Sequence, residues 1–220
     1  MKSILCRQLS ADEKINKDQL TDIAEMIYDT DPYIYPAMFN SKSDALVMIP
    51  EMIKYKDRMF RTENMFVAEQ DNRTVGLILW HRGPLIWDDE IFCLCASKLN
   101  ISVSPHFINV REEYFSSYSH TSMDIVSIIN VCVLEEFRGK FIGEKTLKAF
   151  LNGKEAECEL FVLGDNKVAI HLYEKMGFQI TSRIDGFSID DNKPECMIMK
   201  KFFIPPNNTY DSDDIYYIQS

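Results

Sequence analysis

Residues 133–146 read VLEEFRGKFIGEKT. A run of apolar residues ends here in a turn that carries Gly139 and Gly143, with Arg138, Lys140 and Lys145 beside them, and a helical pattern follows. The first turn of a helix has unpaired N–H groups and a partial positive charge, so a strand, glycine turn and helix in this order hold a phosphate well. The spacing narrows the choice. A P-loop needs four residues between its glycines and a lysine directly after the second. Here the intervening residues are Lys140, Phe141 and Ile142, and Glu144 follows Gly143. The G-x-G-x-x-G fingerprint of dinucleotide sites is absent as well.

Working outward, DIVSIINVCVL (124–134) is apolar on both alternating faces and predicts a central strand covered on both sides. The helix after the turn has a buried stripe of Leu147, Phe150 and Leu151, and CELFVLG (158–164) is a second buried strand. From Asn166 to Gly177 a helix is amphipathic, with Val168, Ala169, Leu172, Tyr173 and Met176 on one side and Lys167, His171, Glu174 and Lys175 on the other. FQITSRI (178–184) and ECMIMKKFF (195–203) pair antiparallel at the end.

Toward the N-terminus, SILCRQL (3–9) is a first strand, and Asn16 with Gln19 forms a capping box before Leu20, Ile23 and Ile27. A helix from about Ser43 carries Ala45, Leu46, Ile49, Met52 and Ile53, with Pro50 kinking or restarting it. MFVAEQ and TVGLILWHRG, separated by DNR, form a hairpin. The segment 84–123 reads as an insertion between strands 3 and 4, with one helix from Ser104-Pro105 to about Tyr118.

Composition sets the class. With 46% hydrophobic and 26% charged residues the chain is globular, and its 220 residues bury a sizeable core without disulfides. Cys6, Cys93, Cys95, Cys132, Cys158 and Cys196 form no C-x-x-C pair and lie mostly in apolar runs, as reduced core residues do. The N-terminal apolar run is too short for a signal peptide, which makes the cytoplasm the expected location. A net charge of -10 disfavours nucleic acid and anionic membrane surfaces as partners. His106, His120 and His171 have no metal-ligand spacing, so no metal is expected.

Arg138, Gly139, Lys140, Phe141, Ile142 and Gly143 fill the six places of (Q or R)-x-x-G-x-(G or A), with Phe141 where glycine is usual. This resembles the acyl-CoA pyrophosphate loop of the GNAT superfamily of N-acetyltransferases. The stretch DNKVAIHLYEKMGF (165–178) resembles the same family's asparagine-opened helix that ends in Y-x-K-x-G-F. The resemblance implies a mixed α/β (α+β) single domain over 1–203, whose mostly antiparallel twisted sheet is flanked by helices and whose insertion spans 84–123. An acidic tail follows at 204–220.

By the same resemblance, the protein moves an acetyl group from acetyl-CoA, as co-substrate, to a primary amine by direct attack, as a monomer or a homodimer. Backbone groups of Asn130, Val131, Cys132 and Val133 would meet the pantetheine arm, amides from Arg138 to Gly143 the pyrophosphate, and Asn166 and Tyr173 the cofactor. Tyr173 is the candidate general acid, or else a core tyrosine. Tyr33 and Tyr35, in the aromatic stretch DPYIYPAMF, either line the acceptor pocket or belong to a packed interhelical turn. His81 is a further acceptor-side candidate, or a structural histidine. No base is assignable, since Asp124, Glu135 and Glu136 read as solvated. A non-catalytic acyl-CoA-binding or interaction protein on the same scaffold is the alternative.

Overall fold

The computed structural model describes residues 3–85, 87–115, 121–188 and 193–203. The tail assigned to 204–220 lies outside the described residues. Among the described residues seven strands form one sheet: β1 (Leu5–Gln8), β2 (Met65–Gln70), β3 (Arg73–Arg82), β4 (Val126–Val133), β5 (Cys158–Leu163), β6 (Gln179–Asp185) and β7 (Glu195–Lys201). Their order is β1-β2-β3-β4-β5-β7-β6, antiparallel throughout except for β4 beside β5. This is the mixed, mostly antiparallel sheet expected.

The hairpin closes through Asp71 and Asn72, both in the left-handed region at φ 53° and 63°, as a two-residue turn between twisted strands requires. On one face lie α1 (Lys17–Tyr28), α2 (Ile34–Met38) and α3 (Lys42–Lys54). The Asn16 side chain accepts the Gln19 N–H, and Gln19 reaches back to the Asn16 N–H, so the capping box is present. Helix α3 starts from the Ser41 cap and continues through Pro50 to Lys54. Buried Met48, Ile49, Met52 and Ile53 on both sides of the proline hold the helix as one element.

The insertion contains an element that the sequence did not predict, α4 (Asp89–Leu99). Asp88 caps it by accepting the Ile91 N–H, and Asn100 ends it in the left-handed conformation. Beyond it, Pro105 sits in a turn, and α5 (Phe107–Asn109) runs into π-helical turns over Val110–Phe115. Helical structure therefore begins later than the Ser104-Pro105 signal implied. The insertion packs on the α1–α3 face through an aromatic cluster, in which Phe92 stacks on Phe107 at 4.1 Å and Trp87 on Phe115 at 4.7 Å.

The opposite face is covered by α6 (Ile142–Leu151) and α7 (Lys167–Lys175). Leu147 and Phe150 of α6 are buried with Ile78, Ile128 and Leu160 of the sheet. Gly76 of β3 lets α6 settle close, because a Cβ there would stand 3.3 Å from Ile142 Cγ2 and from Thr146 Oγ1. The first turn of α6 is thereby held against the sheet.

Asp57, just past α3, is wholly buried. Its Oδ1 accepts the N–H groups of Met59 (2.9 Å) and Phe60 (3.2 Å), while Oδ2 has no partner among the described residues. Burial pushes its carboxyl up from 3.8 to about 6. A raised acid binds a proton in the folded state that the unfolded chain has released, so this group's contribution to stability falls as pH rises from about 4 to 6. The loss amounts to about 3 kcal/mol at most. Asp57→Asn keeps the acceptor and removes the titration. Urea unfolding is expected to show the variant gaining on the wild type by about 2–3 kcal/mol between pH 4 and pH 7, and a pH-independent difference would contradict this.

Candidate active site

Strands β4 and β5 are paired over three positions only, Val126 with Cys158, Ser127 with Glu159 and Ile128 with Leu160. Beyond Ile128 they part. Strand β4 continues to Val133 on the support of β3, and β5 to Leu163 on the support of β7. The register of β3 on β4 shifts after Leu79, which is opposite Asn130, to Trp80, which is opposite Ile128. Ile129 is thus a bulge, and bulges change which face later residues present. Ile128 packs on the α6/α7 face, whereas Cys132 packs with the α1–α3 cluster.

The gap opens into a cleft of about 920 Å³. Its floor is Ile129 to Val133, its far wall Phe161 to Leu163, and its rim the 138–144 loop and the first turns of α7. Asn130, Val131, Cys132, Val133, Arg138, Gly139, Phe141, Ile142, Gly143, Asn166 and Tyr173 all line it. Lys140 does not line it. Its Nζ donates to the Glu136 carbonyl (2.9 Å) and lies 4.8 Å over the Phe137 ring.

The N–H groups of residues 139 to 144 have no acceptor among the described residues, and the first helical bond of α6 is Lys145 N–H to Phe141 O (3.1 Å). No side chain caps this end. Arg138 Nε donates to the Val133 carbonyl (3.1 Å), which fixes the arginine beside the loop. A row of free N–H groups at a helix N-terminus next to a guanidinium suits a multiply charged phosphate ester. Across the mouth, Glu144 of α6 and Lys175 of α7 form an ion pair at 2.7 Å. Asn166 caps α7 by accepting the Ala169 N–H (3.1 Å).

Tyr173 is 7% exposed, and its ring packs 6.0 Å from that of Phe178. Its hydroxyl has no hydrogen bond among the described residues and is not sealed off, so it opens into the cleft. Burial, with the Cys132 sulfur as a lesser cause, raises its pKa, and the phenol stays protonated. Burial likewise pushes the Cys132 thiol up to about 12 and the Cys196 thiol up to about 11. Both cleft cysteines are neutral thiols near pH 7.

Of the acceptor-side candidates, Tyr33 lines the cleft. Tyr35 does not: it is buried in α2, and its hydroxyl donates to Asn130 Oδ1 at 2.9 Å, so it supports the floor from beneath. The bulge at Ile129 is the reason, because it turns Asn130 toward α2. His81 does not line the cleft either. It stands opposite Ser127, at the closed end where β4 and β5 are paired, and its Nδ1 is 3.1 Å from the Gly83 carbonyl. Val168, which shares the apolar side of α7, is 84% exposed at the rim. Asp31, which the sequence reading passed over, lines the cleft. Its Asp-Pro context pointed only to a turn.

The description "Acetyltransferase (GNAT) domain" belongs to the family model that matches residues 61–180, a stretch that contains the whole floor and rim of the cleft. No curated protein matches the chain. Among solved structures, an N-acetyltransferase from Staphylococcus aureus Mu50 is 19% identical, with a TM-score of 0.59 over 89% of this chain and 99% of that one. Ard1 from Thermoplasma volcanium is 16% identical, with a TM-score of 0.53 over 91% and 98%. The NatC complex, solved bound to a Gag peptide and CoA, is 17% identical, with a TM-score of 0.52 over 93% and 100%. At such identities these likenesses are of fold.

Phe141 stands at φ 59°, ψ 19°, in the left-handed region, and is 72% exposed. A side chain there strains the backbone where glycine does not. Its exposed ring adds little packing, so Phe141→Gly is expected to raise unfolding free energy by about 0.5–1 kcal/mol after the extra entropy cost of glycine. Chemical denaturation checks this, and a destabilised variant would show that the ring packs on something.

Proposed function

Because the chain belongs to the GNAT acetyltransferase family, we propose that it transfers an acetyl group from acetyl-CoA to a primary amine by direct attack, in the cytoplasm and without a metal. The observation that carries this reading is the row of N–H groups from Gly139 to Glu144 with no acceptor among the described residues, set at the mouth of the β4–β5 gap. The pyrophosphate would take these donors together with Arg138, and the pantetheine arm would lie along Asn130 to Val133. Asn166 and the first turns of α7 would flank it. Among the described residues no group of His, Cys, Asp and Glu has the form of a metal site, and no helix is long and apolar enough to cross a membrane.

Direct attack is supported by the state of the thiols. A covalent acetyl-cysteine route needs a thiolate, and burial keeps Cys132 and Cys196 protonated. The amine nitrogen would instead attack the thioester carbonyl carbon, and the departing sulfur would take its proton from the Tyr173 hydroxyl. A second reading, an acyl-CoA-binding protein without turnover, is favoured by one feature, the strained and exposed Phe141 in the place of a loop glycine.

The first of two measurements tests both readings and the second separates them. Acetyl-CoA is expected to raise the melting temperature where ATP and NAD do not, since a ligand of the folded state stabilises it by mass action. Gly143→Glu should abolish that shift by placing a carboxylate beside the phosphates. No shift in the wild type would end both readings. Tyr173→Phe keeps the buried ring, and is expected to bind acetyl-CoA normally while losing about tenfold or more in kcat with an amine acceptor. Full kcat would return Tyr173 to the core. A wild type that binds acetyl-CoA and releases no CoA with any amine would establish the second reading.

A further inference from the structure

The cleft is also lined by the α1–α2 connection through Asp29, Thr30, Asp31 and Tyr33, and this part is unlike the rim. The lining includes Tyr33, Tyr114, Phe161 and Phe187; Phe187 belongs to the large apolar cluster on the α1–α3 side, and the other three pack against that cluster. Among the described residues five acids line the cleft, and three are taken: Asp29 by Lys42 (2.7 Å), Glu113 by Lys193 (2.9 Å) and Glu144 by Lys175 (2.7 Å). Asp185 stands exposed on the edge strand β6, and His171 is exposed on α7.

Asp31 differs from all of them. Its Oδ1 accepts the N–H groups of Tyr33 (2.7 Å) and Ile34 (2.8 Å), which fixes the carboxylate in the half-buried turn before α2. Its Oδ2 has no partner among the described residues and is not sealed within the protein, so it opens into the cavity that Asp31 lines. One oxygen is held and the other is offered.

We propose that Asp31 receives the ammonium group of the acceptor and takes its proton, and that the acceptor is a primary amine carried on an apolar body of aromatic size. This deepens the acetyl-transfer reading and rests on it. The apolar walls take the body of the acceptor, and among the described residues Asp31 is the cleft acid that is both fixed by backbone hydrogen bonds and left with an oxygen to meet an ammonium. Burial raises the proton affinity of Asp31, as a base in a dry pocket needs.

The protons balance as follows. The ammonium gives one proton to Asp31 Oδ2, which later releases it to solvent. The neutral nitrogen forms the C–N bond with the thioester carbon, and the C–S bond breaks with its electron pair on sulfur. Tyr173 protonates that sulfur, and the remaining surplus proton on nitrogen restores the Tyr173 phenol through solvent. The products are the amide, CoA and one proton.

The test compares the wild type with Asp31→Asn, which keeps the acceptor for the two backbone N–H groups. Two probes share an aromatic body: 2-phenylethylamine, an ammonium near neutral pH, and O-benzylhydroxylamine, whose nitrogen is already neutral there. With 2-phenylethylamine the variant is expected to lose kcat/KM by about 10²-fold or more, the contribution of a positioned base. With O-benzylhydroxylamine it should keep nearly the wild-type rate, and its acetyl-CoA affinity by calorimetry should be unchanged. Equal losses with both probes, or no loss with either, would overturn the role of Asp31. A wild type that binds acetyl-CoA and acetylates neither probe would overturn the acceptor class. Failure of the wild type to bind acetyl-CoA in the same titration would instead remove the acetyl-transfer reading beneath it.

Discussion

The parting of two parallel strands after three paired residues is the constraint on which the rest of the site depends. Strands β4 and β5 each keep an outer antiparallel neighbour, so each stays extended after they separate at Ile128. Beyond Ile128 and Leu160 the backbone N–H and C=O groups on the facing edges no longer pair across the gap. Such groups are costly to enclose unless something polar meets them. The gap is therefore stable while it is open to solvent or filled by a chain with amides of its own, as the pantetheine arm of CoA has. The helices follow from the same event. With no pairing to close the wedge, α6 and α7 pack on one side of it and α1 and α2 on the other, and the first turn of α6 points its N–H groups at the open mouth.

What the sequence made legible was local chemistry repeated at fixed spacing. The turn at 138–143, the asparagine cap of α7, the capping box at Asn16 and Gln19, and the hairpin, read with one residue more in its turn than the two it has, are each decided by neighbours within a few residues. Helix α4 escaped for the opposite reason. Ile91, Phe92, Leu94, Cys95 and Ala96 spread apolar character around the helix, and Leu94 is 48% exposed, so no clean stripe appears. Its end signals were nevertheless present: Asp88 before the helix, Asp89 and Glu90 in the first turn, and Lys98 and Asn100 at the close. Reading caps before periodicity would have found it.

The placements that differ from the sequence reading are all non-local. Whether Tyr35 lines a pocket or supports its floor depends on a single inserted residue, Ile129, ninety-odd positions away and invisible as a bulge in an unbroken apolar run. His81 lies on a strand next to β4, but at the end where the wedge is shut. Val168 shares the apolar side of α7, yet the first turn of that helix overhangs the gap, so the sheet is not beneath it. Asp31 gives no signal of its own in the sequence, because Asp-Pro is a common turn dipeptide. The same hydrogen bonds that make the turn hold the carboxylate in place.

A single physical cause sets the protonation state of the groups deep in this cleft. Desolvation disfavours whichever form is charged, so it raises the Tyr173 phenol, the Cys132 and Cys196 thiols and the Asp31 carboxyl together. For the chemistry these shifts act in the same direction. The phenol remains an acid able to protonate a leaving thiolate, the thiols do not compete with the amine as nucleophiles, and the carboxylate gains affinity for a proton. None of these groups owes its state chiefly to a charged partner, which is unusual for a site with acids and bases at both ends. The state of the site is thus tied to how deeply the surrounding residues bury each group. A change that wets the cleft would lower the phenol, the thiols and the carboxyl at once, weakening the base while giving the thiols access to chemistry that the dry cleft withholds.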